Sequence, residues 1–471
     1  MTGKITPAIS GRGVALALCC CAFAACATLP PTVAPDALAS EHAFSARRFE
    51  ASALPEGAWT RAQWLGAALR LNPELAEARA RATAIAAAKR TAGERPNPTL
   101  NLYDQYVTAA AGGTAWLYGL SLEFLLRRPG ERARALRDAN LQTEAVEADV
   151  AETIWQLRSN LRGSLLDVAA TRDELALLKE LLAARQTLLG SIRAQAEAGE
   201  RAMSDLQPAL QALASTQQRL LATQARGGDA KARLAAAVGV PLAALEGVAL
   251  EWPGWSDLKG HTLSFAATLR EQALIARPEL VRALREYDLA ENDLQGAFAR
   301  RWPEFRLSPG LAWDRSGVHE NQLNENLRDN ELGLALELPL FNRHAGPIGE
   351  AWARRELAAA HIEVVQSHLR EQIDRAEQAW PLAHQGWLQA VDAAAAAERQ
   401  LQAAQRALSA GDAERSTLLQ ATSGALEAQL LVLQSAYEAQ QVFAALEAAY
   451  RRPLEGPECD LPLTWRSDPR G

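Results

Sequence analysis

Asn72-Pro73-Glu74-Leu75 returns as Arg277-Pro278-Glu279-Leu280, at an offset of 278 − 73 = 205 residues. Pro98, which closes the stretch after the first copy, returns as Pro303 at the same offset. Gly119-Leu120-Ser121-Leu122-Glu123 reappears as Gly333-Leu334-Ala335-Leu336-Glu337, where the spacing has grown to 214. Ala198-Gly199 pairs with Ala410-Gly411 and Pro241-Leu242 with Pro453-Leu454, both 212 apart. Solenoid repeats recur every 20–50 residues or so, far more often than this. The pattern marks one large structural unit duplicated in tandem, with small loop-length differences between the copies.

Each copy reads helix, strand, strand, long helix, turn, helix. Pro73 and Pro278 open the first helix, where proline is tolerated in the opening turn. Pro96-Asn97-Pro98 and Pro303 end it. From Arg132 to about Arg193, and from Glu350 to about Leu408, the chain is rich in Ala, Leu, Glu, Arg and Gln. Leu161, Leu165, Val168, Leu175, Leu178, Leu182, Leu189 and Ile192 step by threes, fours and sevens, the seam of a coiled coil. After Gly199 and Gly411 a further helix runs to Pro241 and Pro453, and Leu206, Leu210, Leu213 and Leu220 continue the spacing. Ser204 with Gln207, and Thr417 with Gln420, have capping-box spacing at the starts of these helices. The long helix of copy one spans roughly 100 Å at ~1.5 Å per residue, and its return partner is about half as long. Stacking the first and last helices of a copy end to end beside the long one evens the lengths. That arrangement predicts a rod with the strands at its far end.

The strands are expected near 99–107, 115–125, 304–314 and 331–340. Trp116, Tyr118, Leu120, Leu122 and Phe124 alternate with Leu117, Gly119, Ser121 and Glu123. In copy two, Leu332, Leu334, Leu336 and Leu338 alternate with Gly333, Ala335 and Glu337, and Phe305 to Trp313 alternates likewise. One face apolar and the other small or charged is the pattern of a transmembrane β-barrel, with Ser121, Glu123, Ala335 and Glu337 facing its lumen. A soluble sheet with one face on a core alternates in the same way. Four strands cannot close a membrane barrel, since known ones start at about eight. Cyclic symmetry must complete it. Two, three or four chains all satisfy that, and only the larger counts leave an aqueous lumen.

The N-terminus weighs between the two sheets. Lys4 and Arg12 precede the apolar run from Val14 to Ala25, which is too short to span a bilayer and fits a secretory signal. It ends in Phe23-Ala24-Ala25-Cys26, similar to the bacterial lipobox, in which the cysteine is diacylated and becomes the mature N-terminus. Phe stands where Leu is usual. Ala27 rather than Asp follows, so retention at the inner membrane is not indicated. Thr28 to Pro35 reads as an extended tether. Of the five cysteines, removing the leader leaves Cys26 and Cys459. With Cys26 lipidated no intramolecular disulfide framework exists. The net charge of −7 and the lack of a basic patch argue against a nucleic-acid partner.

Nothing resembles an enzyme site or a cofactor site. The seven histidines form no His-Glu-x-x-His or Cys/His cluster. His361 and His368, two helical turns apart, read as a solvated stripe, and His319-Glu320 as part of a polar Ser316–Asp329 loop. No serine sits in a Gly-x-Ser-x-Gly elbow and no phosphate loop is present.

Together these residues resemble the TolC family of outer-membrane efflux channels, from about Trp64 to Leu454. Individually the motifs are weak: the Asn-Pro-Glu-Leu helix start, Pro-Asn-Pro before a strand, glycine at the hairpin, Gly-Val-Pro at the last helix end. In this order, duplicated and behind a lipobox, they are specific. Leu338-Pro339-Leu340-Phe341-Asn342-Arg343 and Arg127-Arg128-Pro129-Gly130-Glu131-Arg132 lean toward the heavy-metal (cobalt–zinc–cadmium type) subgroup. The resemblance implies a mostly α fold: a coiled-coil helical barrel, with four strands per chain joining a trimeric 12-stranded outer-membrane β-barrel. It implies a signal peptide at 1–25, a lipidated (palmitate-bearing) tether at 26–60, repeats at 61–245 and 263–455 around a linker at 246–262, and a tail at 456–471. The implied partners are two further copies, outer-membrane lipid, a periplasmic adaptor and an inner-membrane transporter. Gly199, Arg201 and Asp205 of the first hairpin tip, and Gly411, Asp412, Glu414, Thr417 and Gln420 of the second, would face the adaptor and transporter and close a gate. Thr417 and Gln420 depart from the family, which often carries carboxylates there, so Asp205, Asp412 or Glu414 would serve instead. The alternatives are a non-pore coiled-coil lipoprotein that spaces membrane from wall, and the channel of a type I protein secretion system.

Overall fold

A computed structural model of the chain describes residues 36–49, 59–106, 116–248, 252–260, 267–314, 327–338 and 340–456. The chain divides into two units, residues 1–48 and 49–471. In the first, α1 (Ala37–Ser45) starts where the Asp36 carboxylate accepts the Ala39 N–H at 3.1 Å, a helix within the stretch expected as a tether.

In the second unit, α2 (Arg61–Leu71), α3 (Pro73–Gly93), β1 (Thr99–Tyr106), β2 (Trp116–Leu126), α4 (Glu131–Glu197) and α5 (Leu206–Val238) form copy one. Copy two repeats them as α6 (Ala267–Ile275), α7 (Pro278–Ala299), β3 (Phe305–Asp314), β4 (Leu327–Leu336), α8 (Ala345–Ala410) and α9 (Arg415–Tyr450). The short helices α2 and α6 were not anticipated. α2 begins with a capping box, Thr60 N–H donating to Gln63 Oε1 at 2.8 Å and Gln63 N–H to Thr60 Oγ1 at 3.4 Å. The proline that follows sets the break before α3 and α7. A residue before proline is driven out of the helical region, and Asn72 (ψ 123°) and Arg277 (ψ 125°) are extended.

α4 has 67 residues, about 100 Å of helix at ~1.5 Å per residue. α8 has 66 and carries Pro381 inside it. α3 and α5 pack along α4, α9 packs on α8 and α4, and α7 lies against both long helices. Of the expected seam, Leu161, Leu165, Val168, Leu178, Leu189 and Ile192 are buried, and Leu175 and Leu182 are half-buried. On α5 the inward stripe runs Leu206, Ala209, Leu213, Thr216, Leu220, Thr223, with small residues at alternate positions; Leu206, Thr216 and Thr223 are buried and the others half-buried. Leu210, expected in that seam, is exposed because it lies one residue beyond Ala209.

The first and last helices of copy one meet end to end. Gly239 follows α5 at φ +86°, and a Cβ there would stand 2.6 Å from the Leu71 carbonyl oxygen and 2.8 Å from Asn72 Cα. Asn72 both caps α3, accepting the Leu75 N–H at 3.0 Å, and donates its Nδ2 to the Ala237 carbonyl at 3.0 Å. The main core gathers Trp64, Leu65, Leu75, Leu166 and Leu234 from copy one and Ile373, Trp387 and Phe443 from copy two. A fully buried large apolar side chain contributes about 1.5–3 kcal/mol. Trp252, Trp255 and Leu258 of the 246–262 stretch are buried in the same core, so its described residues 252–260 are packed structure.

The strands form one antiparallel sheet in the order β1-β2-β3-β4. β4 lies upstream of the expected 331–340. Arg328, Asp329 and Asn330 resembled loop, but they pair with Trp313, Ala312 and Leu311. The ladder ends at Leu336 opposite Phe305, because β3 starts there behind Pro303. Leu338, expected on the apolar face, and Glu337, expected in the lumen, therefore lie just past the last pair, and both are exposed.

Candidate functional site

Directly opposed residues of an antiparallel pair share a face. The register therefore collects Leu100, Leu102, Tyr106, Tyr118, Leu120, Leu122, Phe124 and Leu126 of copy one with Phe305, Leu307, Leu311, Trp313, Leu332, Leu334 and Leu336 of copy two. Most of these are exposed, Leu102 at 71% and Leu332 at 73%. Asp104, Asn330 and Arg328 share this face toward its Tyr106 end; elsewhere it is apolar, and an apolar surface of this breadth marks a membrane or protein contact. Among the described residues β1 and β4 each pair on one side only, so both edges offer unpaired backbone groups.

The other face carries Ser121, Glu123 and Ala335, beside Tyr103, Gly119, Arg306, Ser308, Gly310, Ala312 and Glu331. Glu123 accepts from Arg306 at 3.3 Å, and Arg306 also reaches Glu304 at 3.4 Å. Arg128 pairs with Glu304 at 3.6 Å and donates to the Trp302 carbonyl at 2.9 Å, tying the turn between β2 and α4 to the segment that leads into β3. Tyr103 donates to Glu331 at 2.8 Å, from β1 to β4.

At the first hairpin tip α4 ends in a left-handed glycine turn. Gly199 has φ +78°, its N–H donates to the Ala196 carbonyl at 3.1 Å, and that of Glu200 donates to the Gln195 carbonyl at 2.9 Å. Arg201 stands 3.8 Å from Asp205, and Leu206 then packs on Leu189, Ile192 and Ala196. Gly411 (φ +83°) turns the second tip in the same way, with the Asp412 N–H on the Ala407 carbonyl at 2.9 Å. The two capping boxes expected here do not form. α9 starts at Arg415 rather than Leu418, three residues early, so Thr417 and Gln420 lie inside its first turns and are exposed. The first turn after Gly199 is a 3-10 segment, Met203–Asp205, and no side chain caps α5.

Glu414 connects the tips. Its carboxylate accepts from Ser416 at 2.9 Å and from Gln195 of α4 at 3.2 Å. These two donors hold it below the usual carboxylate range. Higher up, Arg185 of α4 donates to the Ala212 carbonyl at 2.8 Å and to the carboxylate of Glu427 on α9. Asp412 is exposed. Cys26, with the rest of the leader and tether to residue 35, and His319-Glu320 lie outside the described residues.

The polar centre missed from sequence lies between the two copies. Glu447 of α9 is fully buried and meets Arg158 at 3.0 Å and Arg162 at 3.2 Å, both on α4. It also accepts the Leu454 N–H at 2.7 Å, and Arg162 donates to Gln440 Oε1 at 2.7 Å. Burial lowers the Arg162 pKa, and Glu447 and Glu455 oppose that. Charged residues inside a heptad seam were the available signal: Arg158 and Arg162 flank Leu161 and Leu165. Nearby, Asp167 accepts from Tyr437 at 2.6 Å and from Arg233 at 2.9 Å. Burial first, then Asp167, push the Tyr437 hydroxyl up to about 12.

The sequence matches the family described as outer membrane efflux protein over residues 64–240 and 269–450. Those blocks begin 269 − 64 = 205 residues apart, the offset of the internal repeat. The pyoverdine export outer membrane protein OpmQ of Pseudomonas aeruginosa is 26% identical over 262 residues. That stretch is 54% of this chain and 51% of the relative, so about half of its length is spanned. Among solved structures, one of CusC is 18% identical with a TM-score of 0.67, covering 86% of this chain and 95% of that one. The outer-membrane channel OprN is 20% identical with a TM-score of 0.67, covering 90% and 99%. At these identities the likeness to the solved structures is one of fold.

Proposed function

The chain belongs to the outer membrane efflux protein family, and from that premise we propose that it is the passive outer-membrane channel of a tripartite efflux system. The observation that carries this is the open four-stranded sheet, with an exposed apolar face, a polar opposite face and two half-paired edges, at the end of ~100 Å helices. Backbone groups at a strand edge have no water to bond to within a bilayer, so membrane strands occur in closed barrels. Two further copies complete twelve strands, with Ser121, Glu123 and Ala335 toward water and Leu120 and Leu334 toward lipid. A spacer without a pore has no use for that division, which disfavours the coiled-coil alternative.

The helices carry the conduit into the periplasm, where the tips meet an adaptor and an inner-membrane pump. Gln195–Glu414 and Arg185–Glu427 link the two hairpins of one chain, and opening the tunnel parts them. Asp205 supplies the tip carboxylate that binds cations: it is half exposed and held only loosely, 3.8 Å from Arg201, whereas Glu414 accepts hydrogen bonds from Ser416 and Gln195. Cys26 carries the lipid, and Cys26→Ala leaves uncleaved, unacylated precursor. OpmQ is named for pyoverdine export, whereas the Leu338–Arg343 corner leans toward metal export. A deletion strain challenged with zinc, copper, dyes and antibiotics separates these substrates.

Reconstitution tests the channel itself. The purified lipoprotein should run as a heat-modifiable trimer and conduct in planar bilayers. Leu120→Arg and Leu334→Arg should abolish trimer assembly, because a charge at mid-bilayer costs roughly 2–4 kcal/mol per chain. Ser121→Arg and Ala335→Arg should assemble and alter conductance. Equal trimer yield from the two classes would overturn the assignment of faces.

A further inference from the structure

Tyr103 lies flat against the polar face of the sheet. A Cβ built on Gly119 of the neighbouring strand would stand 2.1 Å from its Cζ and 2.4 Å from its Cε1 and hydroxyl. The ring therefore occupies the space that any other residue at 119 would need. Beyond Gly119 the same row continues to Ala312 of β3, which is 1% exposed. The Tyr103 hydroxyl ends on Glu331 of β4, 228 residues away in sequence, at 2.8 Å. Neighbouring strands lie about 4.8 Å apart, so a side chain on β1 meets one on β4 only where the sheet curls toward their common face. The polar face is the concave one, and Tyr103 is held along its wall.

We propose that Tyr103 sets the bore of the barrel: Gly119 and Ala312 leave room for the ring to lie flat, and Glu331 ties it there, clear of the lumen. This rests on the channel reading above. With cyclic symmetry every copy contributes one ring, so rings that stand up narrow the pore from several sides at once. The device needs glycine at 119, which is half of the Gly119–Gly333 match between the copies. Its counterpart is looser. A Cβ on Gly333 would find Ser308 Cβ at 3.4 Å and no ring. Copy one carries the flat aromatic and copy two supplies its anchor.

The test uses the full-length lipoprotein in planar bilayers, with Arg185→Ala and Gln195→Ala in the parent and every variant to release the tips, so that the barrel and not the gate limits the current. In Gly119→Ala the added methyl displaces the ring. Because the obstructing atoms are the far end of a flexible side chain, the fold survives and the variant runs as the parent trimer. Single-channel conductance should fall in Gly119→Ala and return to the parent value or above in the double variant Tyr103→Ala/Gly119→Ala, where no ring remains to displace. Parent-like conductance in Gly119→Ala, or a double variant as low as the single one, overturns the proposal while leaving the channel intact. A parent that forms no pore overturns both.

Discussion

The return helix of copy one ends quietly and that of copy two ends in charge, although both perform the same junction. Position 235 is alanine in copy one, and its counterpart 212 residues on is Glu447. Gly239 corresponds in the same way to Arg451, and both adopt positive φ, +86° and +49°. Asn72 bonds one carbonyl of α5, whereas Arg277 donates to two of α9, Ala448 at 2.8 Å and Ala449 at 3.0 Å. Arg451 pairs with Glu279 at 2.5 Å and with Glu152 of α4, and lies over Trp155 at 5.7 Å. Duplication has kept the geometry and changed the chemistry. Copy one closes its junction by steric fit and the Asn72–Ala237 hydrogen bond. Copy two spends its charged groups on copy one, through Arg158, Arg162 and Glu152, and so fastens the halves together.

Making copy two resemble copy one is the severest way to break that contrast. Glu447→Ala leaves two buried guanidiniums without their shared partner and should cost about 3–5 kcal/mol. Denaturant titration of the assembled protein reads this, and a loss under about 1 kcal/mol would show the buried pair to be dispensable. Gly239→Ala should follow. The left-handed conformation alone costs about 1–2 kcal/mol for a residue with a Cβ, and contact with the Leu71 carbonyl adds to it. Arg451→Gly, the reverse exchange, relieves the same strain while losing two ion pairs, so its net effect should be within about 1 kcal/mol of zero. If Arg451→Gly proves the more damaging of the two, charge rather than fit closes both junctions.

The residues before the two prolines sharpen the comparison. Arg277→Ala removes charged hydrogen bonds worth about 1.5–3 kcal/mol, whereas Asn72→Ala removes a cap worth about 1 kcal/mol. Equal midpoints for the two variants would erase the difference in chemistry. The smallest effect is a pH dependence. Burial alone would raise Glu279, but its backbone hydrogen bond and the Arg277 and Arg451 guanidiniums outweigh that and leave its pKa lowered. A depressed carboxylate stabilises the fold above its unfolded value of about 4.3, and that contribution is lost as pH falls through the lower folded value. Glu279→Gln should flatten the acid limb of the stability profile, and an unchanged limb would remove Glu279 from the account.

Much of this architecture is legible in residue order. Of the heptad seam, Leu161, Leu165, Val168, Leu178, Leu189 and Ile192 are buried and Leu175 and Leu182 half-buried. Alternation placed Leu120, Leu122 and Phe124 on one face and Ser121 and Glu123 on the other, as the register has them. Errors arose where local signals compete. Arg328-Asp329-Asn330 has the composition of a loop but lies in β4, since pairing with β3 satisfies its backbone. Ser204 and Thr417 have the spacing of caps, yet the helices start elsewhere once glycine turns and packing of Leu206 set their phase. Leu210 was drawn into the seam by its chemistry, although Ala209 and Thr216 hold the inner positions.

Sequence by itself determined the duplication, the order of the long helices and the strands, and most of the inward and outward residues of each. The duplication shows as matched spacing, and the helix and strand patterns are periodicities of a few residues, set by 3.6 residues per helical turn and two per pleat, so neither needs a partner to be read. Tertiary structure alone decided the contacts between distant positions: Arg158 with Glu447, Gln195 with Glu414, and Tyr103 with Glu331 across Gly119. Each joins groups more than two hundred residues apart. Such pairs depend on the register at which helices and strands lock, and in the sheet a slip of one residue turns every side chain to the other face.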